Sequence, residues 1–372
     1  MVNPFSFSEL GKVFRKNDIL GIDIGAANIK VVHARKKSDS TIKIINYGIG
    51  KTPSGCIKNG VISDISDIAK NIKKVLKAQK INEKNVKIAI SAGSNLISKV
   101  VSVPKADNKK LEERIREEVK RKLHVDIQTQ KIFYRVTGER AANKIIYLKV
   151  LVTIVPNTTI ENYVRLLKLL DFKPVSIEVP FCSTARFFSK GAGPVGKDRE
   201  RLCELNRGTT AVVDLGSETT NLSILNNGAL EFNRIILAGG LNQDEIIGRR
   251  LGVSKETAEK YKRMHGIQDE IHVGDEIEKI VNECIRDYLG EILRNIKRSL
   301  DFYADRCGGH KAEKIVFIGG GSGTKGLREF AGSIIPADVY TVDMMDFRNI
   351  EFGNDMDYKK IRYLVNALGI AL

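Results

Sequence analysis

Tryptophan is absent from this chain of 372 residues, prolines number 8, and aromatic residues make up only 6%. With so few rings to stack on bases and no recognised nucleic-acid motif, no nucleic-acid partner is expected despite a basic balance. The 5 cysteines are odd in number and far apart, with no C-x-x-C pair, which excludes a disulfide framework or a zinc site and fits a reducing cytoplasm. The 5 histidines show no ligand spacing. Long apolar runs are lacking too. The most apolar stretch, Ile145 to Val155, is short and broken by Lys149, so neither a signal peptide nor a spanning helix is expected. With 42% hydrophobic and 28% charged residues the composition is that of a soluble globular protein, long enough for two to four structural units.

Acidic residues are scarce in one part only. The chain carries a net +16, yet residues 1–150 hold 31 Lys/Arg against 14 Asp/Glu, while the remainder holds 30 against 31. A lysine-rich genome would load both parts alike, so the first part is expected to face an anionic membrane or an acidic partner surface. Within residues 6–16, Phe7, Leu10, Val13 and Phe14 share a helical face. That leader either lies on an anionic bilayer, packs against the first lobe or is unstructured.

One supersecondary unit is used twice. Ile19 to Ile24 is an apolar run closing on Asp23-Ile24-Gly25, followed by strand-like Ile29 to Ala34 and Ile42 to Ile49. Ala211 to Leu215 closes likewise on Asp214-Leu215-Gly216, followed by Asn221 to Leu225, an Asn226-Asn227-Gly228 turn and Leu230 to Leu237. Two related halves facing each other place two Asp-x-Gly turns on opposite walls of one cleft. A carboxylate beside a tight glycine turn suits a Mg²⁺ hydration shell next to phosphate oxygens. Ser217, Thr219 and Thr220 add hydroxyl donors, and Lys30 on the next strand can reach back as a point charge. A third site follows: the strand Ile315 to Ile318 runs into Gly319-Gly320-Gly321-Ser322-Gly323 and then Lys325, where backbone can approach a base or ribose.

In this order the three motifs resemble the first phosphate, second phosphate and adenosine motifs of the actin, Hsp70 and sugar kinase superfamily. Within it the chain is similar to the PilM family of type IV pilus assembly, itself similar to the division protein FtsA. Further cues are Leu20 to Gly25, Ala238-Gly239-Gly240, the helix around Ala258, Glu259 and Lys262, and the closing Asn366 to Leu372. The resemblance implies an α/β, actin-like (ribonuclease H-like) duplicated two-lobe ATPase fold with an FtsA/PilM-type insert. The first lobe is expected from residues 17–93, 173–208 and a C-terminal helix near 360–372, and the β-α-β-β-α insert from 94–172. The second lobe is expected from 209–359, with a helical subdomain near 238–311.

The same resemblance implies ATP and Mg²⁺ as ligands. Asp23 and Asp214 would hold the metal through water; Gly25, Ala26, Ala27, Asn28 and Lys30 would meet the β-phosphate; Gly216, Ser217, Glu218, Thr219 and Thr220 would surround the γ-phosphate. Glu259 and Lys262 would face the ribose or base, Gly320, Gly321 and Ser322 would close over adenine, and Gly240, Gly319 and Lys325 would also belong to the nucleotide site. A plain intrahelical ion pair is the other reading of Glu259 and Lys262. Glu178 is the candidate for positioning water, although a structural carboxylate at a helix start reads the same way. Slow or absent turnover is therefore expected.

Implied partners are the N-terminal cytoplasmic tail of PilN and the proteins of the pilus motor or platform, with the membrane reached through the partner at its inner face. Self-association of the actin kind stays open. An FtsA-like division or cytoskeletal protein and a sugar kinase-type phosphotransferase are the alternatives. No second-substrate base stands out for a kinase, and the sequence closes at Leu372 with no basic amphipathic helix of the FtsA kind.

Overall fold

The computed structural model describes residues 18–38, 41–91, 93–142, 145–191, 193–194, 208–268, 276–307, 310–347, 349–353 and 357–372. The expected leader, Cys203 and His272 lie outside them. Strands β1 (Asp18–Ile24), β2 (Asn28–Lys36) and β3 (Ile42–Lys51) form the antiparallel meander read from the sequence, with Asp23 directly opposite Lys30. A small hairpin, β4 (Ile57–Lys58) and β5 (Val61–Ile62), leads into helix α1 (Ile65–Ala78). Asp64 caps α1 by accepting from the Asp67 N–H at 2.9 Å, a contact of about 1 kcal/mol, and Ile68, Ile72 and Leu76 form its buried stripe. Strand β6 (Asn85–Ala89) then pairs parallel with β1.

The insert begins with β7 (Ile97–Pro104), α2 (Asn108–Leu123), β8 (Gln130–Ala142) and β9 (Ile145–Pro156). Its sheet runs β7-β9-β8, and Val101, Val103, Ile115, Val119, Val150 and Val152 form a core of its own. The next helix, α3 (Asn157–Leu169), behaves differently from the β-α-β-β-α expectation. Its buried Tyr163, Leu166 and Leu167 join the core of the first lobe, and the Tyr163 hydroxyl accepts from the Ser91 N–H at 2.7 Å. The physical reason is connectivity: α3 is the crossover that returns the chain to β10 (Lys173–Glu178), parallel to β6. Helix α4 (Pro180–Arg186) and the two-residue strand β11 (Gly193–Pro194) follow.

The second lobe repeats the plan. Strands β12 (Thr209–Leu215), β13 (Thr220–Asn226) and β14 (Ala229–Ile236) form a meander in which Asp214 opposes Asn221. Helices α5 (Gly240–Leu251), α6 (Lys255–His265) and α7 (Glu276–Cys307) come next. Val281, Ile285, Leu289, Ile292 and Ile296 of α7 pack into the lobe core, as their broad stripe predicts. Strand β15 (Lys314–Ile318) lies parallel to β12, as β6 does to β1, and helix α8 (Leu327–Ile334) leads to β16 (Asp338–Thr341).

The chain then goes back to the first lobe earlier than expected. Val342, Met345, Phe347 and Ile350 are buried in its core, through the short strands β17 (Met345–Asp346) and β18 (Ile350–Glu351), the latter paired with β3. Helix α9 (Ile361–Ala371) closes the fold against β1, β2 and α4. Gly21 permits this approach, since a Cβ there would run into the Ala367 carbonyl. Strand β1 lies between β6 and β2 with α9 against it, and its residues from Leu20 to Ile24 are buried whichever face they point to. This explains why its residues read as one unbroken apolar run.

Candidate functional site

The two Asp-x-Gly turns share one backbone device. The Gly25 N–H donates to the Asn28 carbonyl at 2.9 Å, and the Gly216 N–H donates to the Thr219 carbonyl at 3.0 Å, each across the same three-residue step. In the first turn Asp23 is buried and accepts from Lys30 Nζ at 2.9 Å, while the Thr52 hydroxyl donates to the Gly25 carbonyl at 2.6 Å. Ala26, Ala27 and Asn28 complete this turn between β1 and β2.

Asp214 meets the first lobe from the other wall. Burial pushes its carboxyl above the ordinary 3.8; Lys30 pulls it back, the Asp23 carboxylate pushes it further up, and a hydrogen bond from Asn366 at 3.1 Å pulls it down. The two aspartates and Lys30 therefore lie within electrostatic reach of one another across the lobes. Glu218 makes a second crossing: it accepts from the Asn59 N–H of the first lobe at 3.0 Å, and burial raises its carboxyl as well. Ser217 and Thr219 sit in the same turn. Thr220 does not serve it, because its side chain is buried and its hydroxyl is held by the Ala238 carbonyl at 2.8 Å.

Helix α5 is pinned to the second turn. Its Gly240 and Leu241 N–H groups donate to the Gly216 and Ser217 carbonyls at 3.0 and 2.8 Å. Lys262 reaches this junction from α6, with Nζ at 3.0 Å from the Gly240 carbonyl and 2.5 Å from Asp244 Oδ1. Glu259 instead pairs with Arg263 at 2.6 Å, so the intrahelical Glu259–Lys262 pair is replaced by two others. The glycine-rich loop also closes on the cleft. Gly319 has φ +81, and a Cβ there would collide with Asp214 Oδ1 and the Leu215 carbonyl. Its N–H donates to the Arg362 carbonyl at 2.8 Å, the Ser322 hydroxyl donates to its carbonyl at 2.8 Å, and Gly320 and Gly321 lie against Tyr363 and Leu215. Lys325 is turned to the end of α6, donating to the Met264 carbonyl at 2.7 Å.

Glu178 sits elsewhere. Its buried carboxylate is held by Arg186 at 2.8 Å and by the Ser176 hydroxyl at 3.0 Å, and it lines a cavity that neither aspartate turn borders. That carboxylate is engaged as half of an ion pair, which removes the observation behind a water-positioning role. Asn366, Thr52, Asp244 and Tyr363 take part in the cleft without having been picked out from the sequence. An Asn inside the apolar closing helix was the one visible signal, since a buried amide needs a partner.

A family model described as Type IV pilus assembly protein PilM matches residues 21–372. The chain belongs to this family. Among solved structures, a PilM-PilN type IV pilus biogenesis complex superposes with a TM-score of 0.78 at 21% identity, covering 95% of this chain and 97% of that one. The ethanolamine utilization protein EutJ of Carboxydothermus hydrogenoformans superposes with a TM-score of 0.56 at 14% identity, covering 99% and 94%. Cell division protein FtsA of Bacillus subtilis is 25% identical over 269 residues, 66% of this chain and 58% of that protein. The fold is thus the expected actin-like, two-lobed α/β one, and the chain is a type IV pilus assembly protein of the PilM type.

One further feature distinguishes this PilM-family chain from a bare two-lobed cleft. A cavity of about 290 Å³ opens where β8 and β9 of the insert meet β10 and α4 of the first lobe and the β13–β14 turn of the second. Phe133, Leu151, Ile177 and Phe181 make its walls apolar, with Arg135 and the Glu178–Arg186 pair as polar groups. Burial drives the Cys182 thiol in its wall up to about 12. Among the described residues β8 pairs only with β9, so its other edge has no strand partner.

Proposed function

We propose that this PilM-family chain is an ATP-loaded cytoplasmic adaptor that captures the N-terminal tail of a PilN-type partner at the inner face of the membrane and links it to the pilus motor. The observation carrying the reading is the pair of matching Asp-x-Gly turns brought within electrostatic reach of each other, with Gly319 backing Asp214. The donor set fits MgATP. Hard carboxylates suit Mg²⁺, a lysine suits phosphate, and glycines at 25, 216 and 319 keep the walls free of Cβ atoms at positions where one would crowd its neighbours.

Asp23 and Asp214 would hold the metal through its waters, and the metal would neutralise phosphate charge. Lys30 would supply a cation for a phosphate oxygen, Gly216, Ser217 and Thr219 would supply donors for the outer phosphates, and Lys262 and the Gly320–Ser322 loop would hold the nucleoside. With Glu178 tied to Arg186, turnover is slow or absent. The β8 edge without a strand partner among the described residues and the apolar cavity suit an extended tail that adds a strand and buries one or two apolar anchors. The superposition with a PilM-PilN complex supports that partner.

Two measurements test this function. Calorimetry should show MgATP binding that Asp214→Ala abolishes; equal affinity in both proteins removes the site. A fluorescent peptide of the PilN N-terminus should bind the wild-type chain, and Phe133→Asp should weaken it by at least about tenfold, the cost of a lost interface anchor. Unchanged peptide affinity removes the cavity from the reading while leaving the nucleotide site standing.

A further inference from the structure

Helix α1 carries its charge in an unusual way. Lys70, Lys73, Lys74 and Lys77 are all exposed and share an arc of about 100° on the helix surface, opposite the buried Ile68, Ile72 and Leu76. Lys80, also exposed, follows just beyond the helix end. Within this group Lys70 pairs with Asp67 at 2.9 Å. Lys73, Lys74, Lys77 and Lys80 have no ion pair among the described residues. Helix α3 packs beside α1 and adds exposed Arg165 and Lys168, again without ion pairs among the described residues.

Other helices of this chain pair several of their basic residues, and where exposed ones stay without an ion pair among the described residues, as Arg294, Lys297 and Arg298 do on α7, Glu291 and Asp301 lie one turn to either side. On α2, Arg116 pairs with Glu112, and Arg121 and Lys122 with Glu118; on α5, Arg249 pairs with Glu245; on α6, Arg263 pairs with Glu259. Lysines three and four residues apart repel one another and weaken their own helix. A solubility role does not require that arrangement, whereas an anionic surface laid against it relieves the repulsion.

We propose that the α1–α3 face is a contact surface for an anionic lipid bilayer. Lysine is a hydrated point charge with no demand on partner geometry, which suits laterally mobile lipid headgroups better than the bidentate contacts of nucleic-acid or carboxylate recognition. A folded acidic protein would need apolar anchors. Among the described residues Leu169, beside Lys168, is the one large apolar side chain exposed on these two helices, enough for shallow insertion at a headgroup layer and too little for a protein interface. This proposal stands on charge placement alone and is independent of nucleotide binding and of tail capture.

The test is vesicle flotation of the full chain, without peptide or nucleotide, on phosphatidylcholine vesicles with and without a one-third share of phosphatidylglycerol. The wild type should float with the anionic vesicles only, and less so as salt rises to physiological strength. Lys73→Glu, Lys74→Glu and Lys77→Glu combined should weaken flotation by at least about tenfold, since each lysine near an anionic surface contributes about fivefold. The variant's melting temperature and MgATP affinity should match the wild type. Because it keeps residues 1–17, undiminished flotation of the variant assigns any membrane contact to another segment and overturns the proposal. So does failure of the wild type to float. Equal loss of affinity for double-stranded DNA or polyglutamate, with vesicle binding retained, makes the face a docking site for those polyanions instead.

Discussion

Replacing Asp214 with Asn should move ligand-free stability and ligand affinity in opposite directions. Burial, reinforced by the Asp23 carboxylate, holds the Asp214 carboxyl above its ordinary 3.8, so its charged form costs folding free energy at neutral pH. The sign follows from linkage. A carboxyl raised in the folded state binds its proton more tightly there than in the unfolded chain, so stability falls as pH rises from 3.8 through the raised value and stays lower above it. Asn keeps the shape and removes the charge. The ligand-free variant should therefore gain about 0.5–2 kcal/mol, the usual gain when a strained functional charge is neutralised. For lobes of this size that is a rise of a few degrees in melting temperature.

MgATP reverses the order. If Asp23 and Asp214 orient the hydrated metal as proposed, loss of one of the two carboxylates should lower MgATP affinity by roughly 10- to 100-fold. At a ligand concentration one hundred times the wild-type dissociation constant, the wild type gains about 2.7 kcal/mol by mass action, while the variant gains about 0.4–1.4 kcal/mol. Melting curves followed by scanning fluorimetry should cross as MgATP is titrated, and the ligand-free difference should vanish toward pH 4. If Asp214→Asn melts lower without ligand and binds MgATP unchanged, Asp214 is a structural acceptor for Asn366 and the nucleotide reading fails.

Three more expectations come from neighbouring contacts. Gly319→Ala forces a Cβ into Asp214 Oδ1 at φ +81, so it should cost at least about 1–2 kcal/mol and weaken MgATP binding together, checked by urea unfolding and calorimetry on one preparation. Arg186→Met leaves buried Glu178 without its cation and should destabilise the first lobe by about 3 kcal/mol, most of which Glu178→Gln in the same chain restores; equal destabilisation in single and double variants argues that Arg186 matters through packing alone. Glu218→Ala removes the acceptor for Asn59, one of the bonds between the lobes, and should raise the release rate of a fluorescent ATP analogue several-fold in stopped flow with little change in melting temperature; an unchanged rate means that this bond does not hold the cleft shut.

What could be read from the sequence was local, and what escaped it was decided by distant partners. The Asp-x-Gly hairpins were legible because a strand that ends in a glycine turn dictates its own geometry, and the same bond recurs from Gly25 to Asn28 and from Gly216 to Thr219. The stripe of α7 was legible for the same reason: periodicity is intrinsic to the segment. Glu178 was another matter. Its partner Arg186 lies eight residues on, at the far end of α4, and only the folded arrangement turns that pair into the wall of a separate cavity. Helix α3 misled in the same way. Its apolar stripe says that it packs, while the parallel pairing of β10 with β6 decides that it packs on the first lobe. Asn366 shows how long-range chemistry still leaves a trace. A polar amide inside Leu364 to Ala371 has no local use, so its presence demands a buried partner, and Asp214, 152 residues earlier in the chain, is that partner. The charge asymmetry of residues 1–150 belongs to the same class of signal. Composition located it within the first part of the chain, and the fold resolved it into several charges paired with acids on α2 and an arc of lysines on α1 of which Lys70 alone has an ion pair among the described residues, which is why the second face is the stronger argument about a partner.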